Sequence, residues 1–299
     1  DGDTLGSALA LKLRLTAMGK SVRLLVDGEV PSNLAFLSRM GAVEGPEAEA
    51  GAADLALAVD VSCKERLGAC APAFLAAART AVVDHHSSNP GFAQINWVDG
   101  DAPATAVLVY RLLEAMGGAL SREEAVCLYT GLSTDTGNFI YESTSAESFC
   151  MMAALMDAGL PLAEYARRLF RVKELPFIRL LGETLPSLHL ICGGKVAGIT
   201  LTAAQMRQAG AKAGHTDGLV DYAIDLEGVA MAYFARETED GRVKVSLRAL
   251  EPWRVDQVAE RFGGGGHRLA SGLTLDMPLA GVVRAVEGAL TEALGSVNA

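Results

Sequence analysis

The sequence predicts an α/β protein in two parts. An N-terminal domain built on a parallel sheet takes residues 1–172, a linker helix 173–186, and a smaller mixed α+β domain 187–299, with the functional site in the cleft between the domains. Three observations carry that expectation. At 299 residues the chain exceeds one average domain. In its first half, short apolar runs alternate with longer helical segments, the pattern of βαβ units and a sheet covered on both faces. After about residue 172 the pattern changes to paired strand-like runs separated by short turns.

Taken in order, residues 5–18 are apolar-rich and helical in propensity. They follow Asp1-Gly2-Asp3-Thr4, where an aspartate has an ordinary use as a helix N-cap. Residues 21–26 form a strand candidate. Two further apolar runs, 55–59 and 80–83, are each closed by an aspartate, Asp60 and Asp84. Helices are expected over 71–78, 104–116, 122–133 and 146–157. A connecting helix is expected over 173–185, with Pro176 tolerated in its first turn. Runs 187–192 and 196–201 flank Gly193-Gly194-Lys195 and read as a hairpin. Runs 229–236 and 243–248 flank Glu239-Asp240-Gly241 and read as a second. Residues 255–262 and 279–294 look helical.

Half of the residues are hydrophobic and 21% are charged, enough for a real core. The net charge of −10 argues against long duplex nucleic acid held by a broad positive field. An anionic ligand would be small and captured locally. The five cysteines form no C-x-x-C pair, and their odd number fits reduced thiols and a cytoplasmic location better than a disulfide frame or zinc site. No apolar stretch reaches membrane-spanning length and no signal-peptide pattern is visible, so no membrane partner is expected.

Asp84-His85-His86 directly follows Thr80-Ala81-Val82-Val83. It reads as a buried strand delivering a carboxylate and two imidazoles at its C-terminal end, the edge where open parallel sheets bind ligands. Carboxylates with imidazole suit a hard-to-borderline divalent ion such as manganese. Singly, each residue has a plain explanation. Asp1 or Asp3 can cap a helix, Asp60 can form a turn, Asp135 can be a loop residue, and His85 and His86 can be solvated. Jointly, the acidic residues close strands or open the following helix, which places them on one edge of one sheet. Extended backbone would send the adjacent imidazoles to opposite sides. In the second half, glycines 263–266 let backbone N–H groups approach an anion, or simply form a sharp turn, with His267 and Arg268 following. Arg248 ends a strand and suits a phosphate clamp or a stacking contact, or is solvated. His189 reads as a packed strand residue and His215 as a solvated loop residue.

Together these segments resemble the DHH phosphoesterases. Asp-Gly-Asp-Thr-Leu-Gly-Ser (1–7), Val-Asp-Val-Ser (59–62) with Arg66, Asp-His-His (84–86) with Asn89, and Thr-Asp-Thr-Gly (134–137) look like the family's four motifs, in its order. Val-Ser-Leu-Arg (245–248) and Phe-Gly-Gly-Gly-Gly-His (262–267) look like its associated C-terminal domain. The resemblance implies two Mn2+ ions, with Mg2+ or another divalent ion as substitutes. Asp1 and Asp60 would ligate one ion. Asp3, Asp60, His85 and Asp135 would ligate the other, with Asp60 bridging. It also implies His86 and Asp84 as catalytic groups, His86 facing the scissile phosphate, and Arg248, Gly264, Gly265, Gly266 and His267 as substrate-binding residues. The family's first motif has a histidine four residues before the position of Asp1, where this sequence has no residue. The chain as given is therefore expected to hold its first ion poorly.

The two-domain size resembles the bacterial nano-RNase branch, the bifunctional oligoribonuclease and PAP phosphatases. RecJ nucleases share the core but carry an additional nucleic-acid-binding domain. The implied substrates are short RNA oligonucleotides and adenosine 3′,5′-bisphosphate, hydrolysed by a water that two metals activate. A cyclic-dinucleotide phosphodiesterase, a non-catalytic nucleotide-binding regulator and a homodimeric assembly stay open.

Overall fold

The computed structural model of the chain describes residues 1–46 and 53–296. Its contacts divide it into two compact units, Asp1–Val172 and Lys173–Ala299.

The first unit opens with helix α1 (Gly2–Ala17), which buries Leu5, Leu9, Ala10 and Leu11. A three-stranded parallel sheet follows in the order β1 (Ala56–Val59), β2 (Thr80–Asp84), β3 (Ile95–Val98), with α2 (Ala71–Ala76) crossing between β1 and β2. The expected strand over 21–26 is not one. Among the described residues it makes a single parallel bridge, Leu25 with Glu44, because a ladder needs several consecutive partners and only Glu44 supplies one. Conversely β3, which the sequence reading did not identify, is a half-exposed strand whose Asn96 interrupts any apolar run.

Helices α3 (Thr105–Met116), α4 (Arg122–Asp135), α5 (Ala146–Asp157) and α6 (Leu162–Ala166) complete the unit, α6 running on into a π-turn over Arg167–Arg171. A capping box of Ser121 and Glu124 starts α4. That helix extends through Asp135, so the 134–137 motif straddles a helix end rather than lying in a free loop. Leu9, Leu108, Leu128, Tyr129, Leu132 and Leu155 are fully buried in the common core. Across that core the Arg14 guanidinium meets Glu124 in a buried fork, at 2.7 and 3.1 Å.

The second unit begins with α7 (Leu175–Thr184). Phe177 and Leu180 of this helix bury against Ala197, Ile199 and Leu201, so it belongs to this unit's own core. The unit then runs β4 (His189–Ile191), β5 (Val196–Leu201), α8 (Ala203–Gln208), α9 (Asp221–Ile224), β6 (Met231–Glu237), β7 (Val243–Ala249), α10 (Asp256–Glu260), β8 (Gly265–His267), β9 (Ala270–Leu275) and α11 (Leu279–Ser296). Its mixed sheet has the order β4-β5-β6-β7-β9-β8, with β5–β6 parallel and the other pairs antiparallel. Alternation sorts the strands. Val243, Val245 and Leu247 join Val282, Val286 and Leu290 on one face, whereas Ala232 and Phe234 join Phe177, Leu180 and Ala223 on the other. Among the described residues no single helix is long and apolar enough to cross a membrane.

Candidate active site

Parallel pairing of Val59 with Val83 brings the ends of β1 and β2 level, so Asp60 and Asp84 emerge at the same sheet edge. Asp60 turns the chain with φ +60°, a conformation aspartate tolerates better than most residues, and its N–H donates to the Val83 carbonyl (2.9 Å). The helices reach that edge through glycines. A Cβ on Gly6 would strike the Cys127 carbonyl, and one on Gly131 would strike Asp3 Oδ1. Close approach of α1 to α4 is thus built into the sequence, and it sets Asp3 beside Asp135.

The result is a carboxylate–imidazole cluster. One oxygen each from Asp3 and Asp135 and one nitrogen of His85 lie within 4.8 Å of one another. His85 Nε2 is 3.2 Å from Asp135 Oδ2 and 3.7 Å from Asp60 Oδ1. On the other side of the ring Nδ1 faces the Ala102 carbonyl at 3.2 Å, the arrangement of an Nδ1–H donor that leaves the Nε2 lone pair for a ligand. Asp3 has no solvent exposure and accepts from the N–H groups of Thr105 (2.6 Å) and Ala106 (2.9 Å) and from Ser7 Oγ (2.9 Å). Those amides open α3, whose N-cap residue Ala104 has no side chain to offer, so Asp3 caps that helix from another element.

Burial, then the charges of Asp60 and Asp135, push the Asp3 carboxyl up to about 8. Burial alone would depress His85, but its contact with Asp135 and the charges of Asp3, Asp135 and Asp60 raise it to about 9. Carboxylates crowded this closely call for a cation. The donors are hard carboxylate oxygens and one borderline imidazole nitrogen with no thiolate, and they fit a divalent ion of the manganese or magnesium type.

Beside the cluster sits a second pair. Asp84, fully buried, accepts from His86 Nδ1 (2.7 Å) through one oxygen and from Asn89 Nδ2 (2.7 Å) through the other. Asn89 also reaches the Val61 carbonyl at 3.0 Å. Burial would raise the Asp84 carboxyl, but these donors hold it below the usual range. Its hydrogen bond in turn raises His86. Asp84 therefore serves His86, while a backbone carbonyl serves His85. The expected divergence of the two imidazoles does not occur. Strand β2 ends at Asp84, so strand alternation stops there. The rings meet edge-on with centroids 4.7 Å apart, and both come within 3.7 Å of Asp60 Oδ1. His86 Nδ1 is thus close enough to complete a second group with Asp60 and His85, but it is already committed to Asp84.

Asp1 stands apart from both groups. It caps α1 by accepting from the Thr4 N–H (3.0 Å), and the Thr4 hydroxyl lies 2.9 Å from Asp1 Oδ1 and 2.6 Å from Asp60 Oδ2. Ala102, Thr105 and Ala106 also belong to the site, through their backbone groups. Thr105 also donates its hydroxyl to Asp60 Oδ1 (3.0 Å). The one available signal was a helix start without a capping side chain.

In the second unit Arg248 and His267 share a face. Ala270 pairs with Arg248 on one side and with His267 on the other, and directly opposed residues project to the same side. Arg248 is half-buried and its Nε lies 3.3 Å from Asp221 Oδ1, while His267 is exposed. The glycines have a structural reason as well. A Cβ on Gly264 would meet the Gly272 carbonyl, and Gly266 has φ +145° against Ala270 and Ser271, whereas Gly265 opens to solvent. His189 is held between the Ser187 carbonyl and Glu287. His215 departs from the solvated reading, because its ring pairs with Glu174 at 3.1 Å and accepts from the Lys212 N–H.

Residues 1–132 match the family model described as DHH family, N-terminal domain, and residues 195–298 match the DHHA1 domain. The bifunctional oligoribonuclease and PAP phosphatase NrnA of Thermus thermophilus is 33% identical, over 98% of this chain and 88% of its own length. The protein of the same name from Bacillus subtilis is 26% identical, over 92% of this chain and 86% of its own. The crystal structure of an exopolyphosphatase-related protein from Bacteroides fragilis superposes with a TM-score of 0.87 at 26% identity, covering 98% of this chain and 89% of that one.

Proposed function

This chain belongs to the DHH phosphoesterase family, and from that premise we propose that it hydrolyses short oligoribonucleotides and removes the 3′-phosphate of adenosine 3′,5′-bisphosphate. The observation that carries this reading is the convergence of Asp3, His85 and Asp135 beside Asp60, next to an imidazole locked by a buried carboxylate. Asp3, Asp60, His85 and Asp135 would hold one divalent ion, manganese or magnesium. Asp1 and Asp60 would contribute to a second. When bound, such ions supply Lewis-acid chemistry, offsetting charge on phosphate oxygens and lowering the pKa of a water.

The remaining work falls to the side chains. With Nδ1–H given to Asp84, His86 keeps Nε2 for the substrate, where it can hydrogen-bond the phosphate or hold a proton for the leaving oxygen. Asp84 and Asn89 act through His86, as positioning residues. Arg248 and His267, with the backbone at Gly265 and Gly266, take nucleotide phosphates, whereas the Gly264 N–H is already given to the Ala259 carbonyl. Residues 1–172 thus carry the chemistry and 187–299 the choice of substrate. A short anion suits a chain of net charge −10, because only a local patch need be positive.

The test is product analysis with added manganese on a labelled trinucleotide, adenosine 3′,5′-bisphosphate and cyclic di-AMP. Release of mononucleotides and of phosphate from the first two, abolished by a chelator, is the expected result. Preferential turnover of cyclic di-AMP would replace the substrate assignment, and no release from any of the three would overturn the reading.

A further inference from the structure

A like-charge pair lies on the same face of the C-terminal sheet as Arg248. Arg236 on β6 and Lys244 on β7 are directly opposite in the antiparallel register, so their side chains share a face. Opposed like charges destabilise a strand pair. Neither side chain forms an ion pair or hydrogen bond with any described residue. The Asp217 carboxylate reaches Arg236 only through space. Arg236 is half-buried and Lys244 exposed, so the pair has one solvent-facing side on which an anion could relieve it.

The surroundings continue that surface. Stepping two residues along β7, Ser246 is flanked by Gly272, which in turn pairs with Gly265. Two residues further, Arg248 is flanked by Ala270, which pairs with His267. Small residues therefore separate two cationic positions on one sheet face. Lys244 and Arg248 are four residues apart, about 13 Å at strand spacing, too far for one phosphate to meet both.

We propose that Arg236 and Lys244 form a second phosphodiester subsite, occupied by the sugar–phosphate backbone of an oligonucleotide whose terminal phosphate lies at Arg248 and His267. This rests on the nucleotide-hydrolase reading above and adds a length dependence to it. A nucleotide bisphosphate or a dinucleotide is too short to reach Lys244 from Arg248, whereas a longer oligonucleotide reaches both.

The experiment measures kcat and KM of the full chain with manganese, for a pentanucleotide, a dinucleotide and adenosine 3′,5′-bisphosphate over a salt series. Lys244→Gln and Arg236→Gln should each raise KM for the pentanucleotide about tenfold or more with kcat unchanged. Each should also make the salt dependence of its log KM shallower by about 0.7. The two short substrates should be unaffected. Lys244→Glu sets a carboxylate opposite Arg236, so it should raise the Tm while weakening pentanucleotide use further, which separates binding from folding. Wild-type parameters for the pentanucleotide in both Gln variants, or an equal loss on all three substrates, would overturn the subsite. If wild-type protein hydrolyses none of the three, the nucleotide-hydrolase reading fails, and the subsite is judged by anisotropy of a labelled pentanucleotide. Weaker binding to both Gln variants then supports it and equal binding overturns it.

Discussion

Asp84→Asn isolates the positioning of His86. The substitution keeps the shape of a side chain with no solvent exposure, but it replaces two acceptor oxygens by one oxygen and one NH2 group. Both present partners, His86 Nδ1 and Asn89 Nδ2, donate to Asp84 at 2.7 Å. Either way the new amide turns, one donor faces another. If the oxygen stays with His86, the Asn89 Nδ2 donor keeps only the Val61 carbonyl. If it turns, His86 must accept at Nδ1, which excludes the doubly protonated ring that Asp84 favours and that can give up a proton from Nε2. Losing a hydrogen bond to a charged group is worth roughly 1.5–3 kcal/mol. That corresponds to a fall of about 10- to 150-fold in kcat at about 1.4 kcal/mol per factor of ten. A buried donor left unpaired removes about 1–3 kcal/mol of stability, lowering the Tm by about 2–4 °C per kcal/mol for a unit of this size. The assay pairs steady-state kinetics in excess manganese with metal analysis and thermal melting. Metal content should stay at the wild-type level, because Asp84 offers no oxygen to either ligand group. Wild-type kcat, or a loss of activity matched by a loss of metal, would refute the reasoning.

His85→Ala should lose bound metal, whereas His86→Ala should retain it and lose turnover, and equal metal loss in both would reject the division of roles. Arg248→Ala and His267→Ala should leave metal content intact. They should weaken oligonucleotide hydrolysis roughly 10- to 150-fold more than that of a small chromogenic phosphodiester, whereas an equal loss on both substrates would move these residues into the chemical step. Glu124→Gln leaves the Arg14 charge buried without its partner and should remove about 3–5 kcal/mol of stability. Burial would raise the Glu124 carboxyl, but Arg14 and Ser121 hold it below its ordinary value. The pair therefore contributes fully above the usual carboxylate pKa of about 4.3 and loses its effect as pH falls through the lower folded value. The Tm gap between wild type and variant should accordingly be widest near neutrality and close in acid, and a gap that persists in acid would contradict the ion-pair account.

The donor inventory was legible because side-chain type and backbone period are local. Asp60 and Asp84 close short apolar runs, Asp1 and Asp3 open a helix, and those positions alone put carboxylates and imidazoles at one sheet edge. The second domain's hairpins were legible for the same reason, since the turns lie between the strands they join. By contrast, the failed strand over 21–26 depended on a non-local ladder that its neighbours do not supply. The direction of the two imidazoles depended on where β2 stops, which alternation cannot tell.

The order of residues along the chain was thus enough to say which groups are present and which edge they occupy. How they are held follows from contacts between distant elements. Asp3 takes its amide donors from the start of α3, 102 residues away, and His85 is oriented by a carbonyl 17 residues on, in a segment with no side-chain signal. The opposition of Arg236 to Lys244 likewise exists only in the β6–β7 register. A residue carries its own chemistry, but its hydrogen-bond partners and the charges around it are set by packing between distant elements, and only the folded chain fixes those distances.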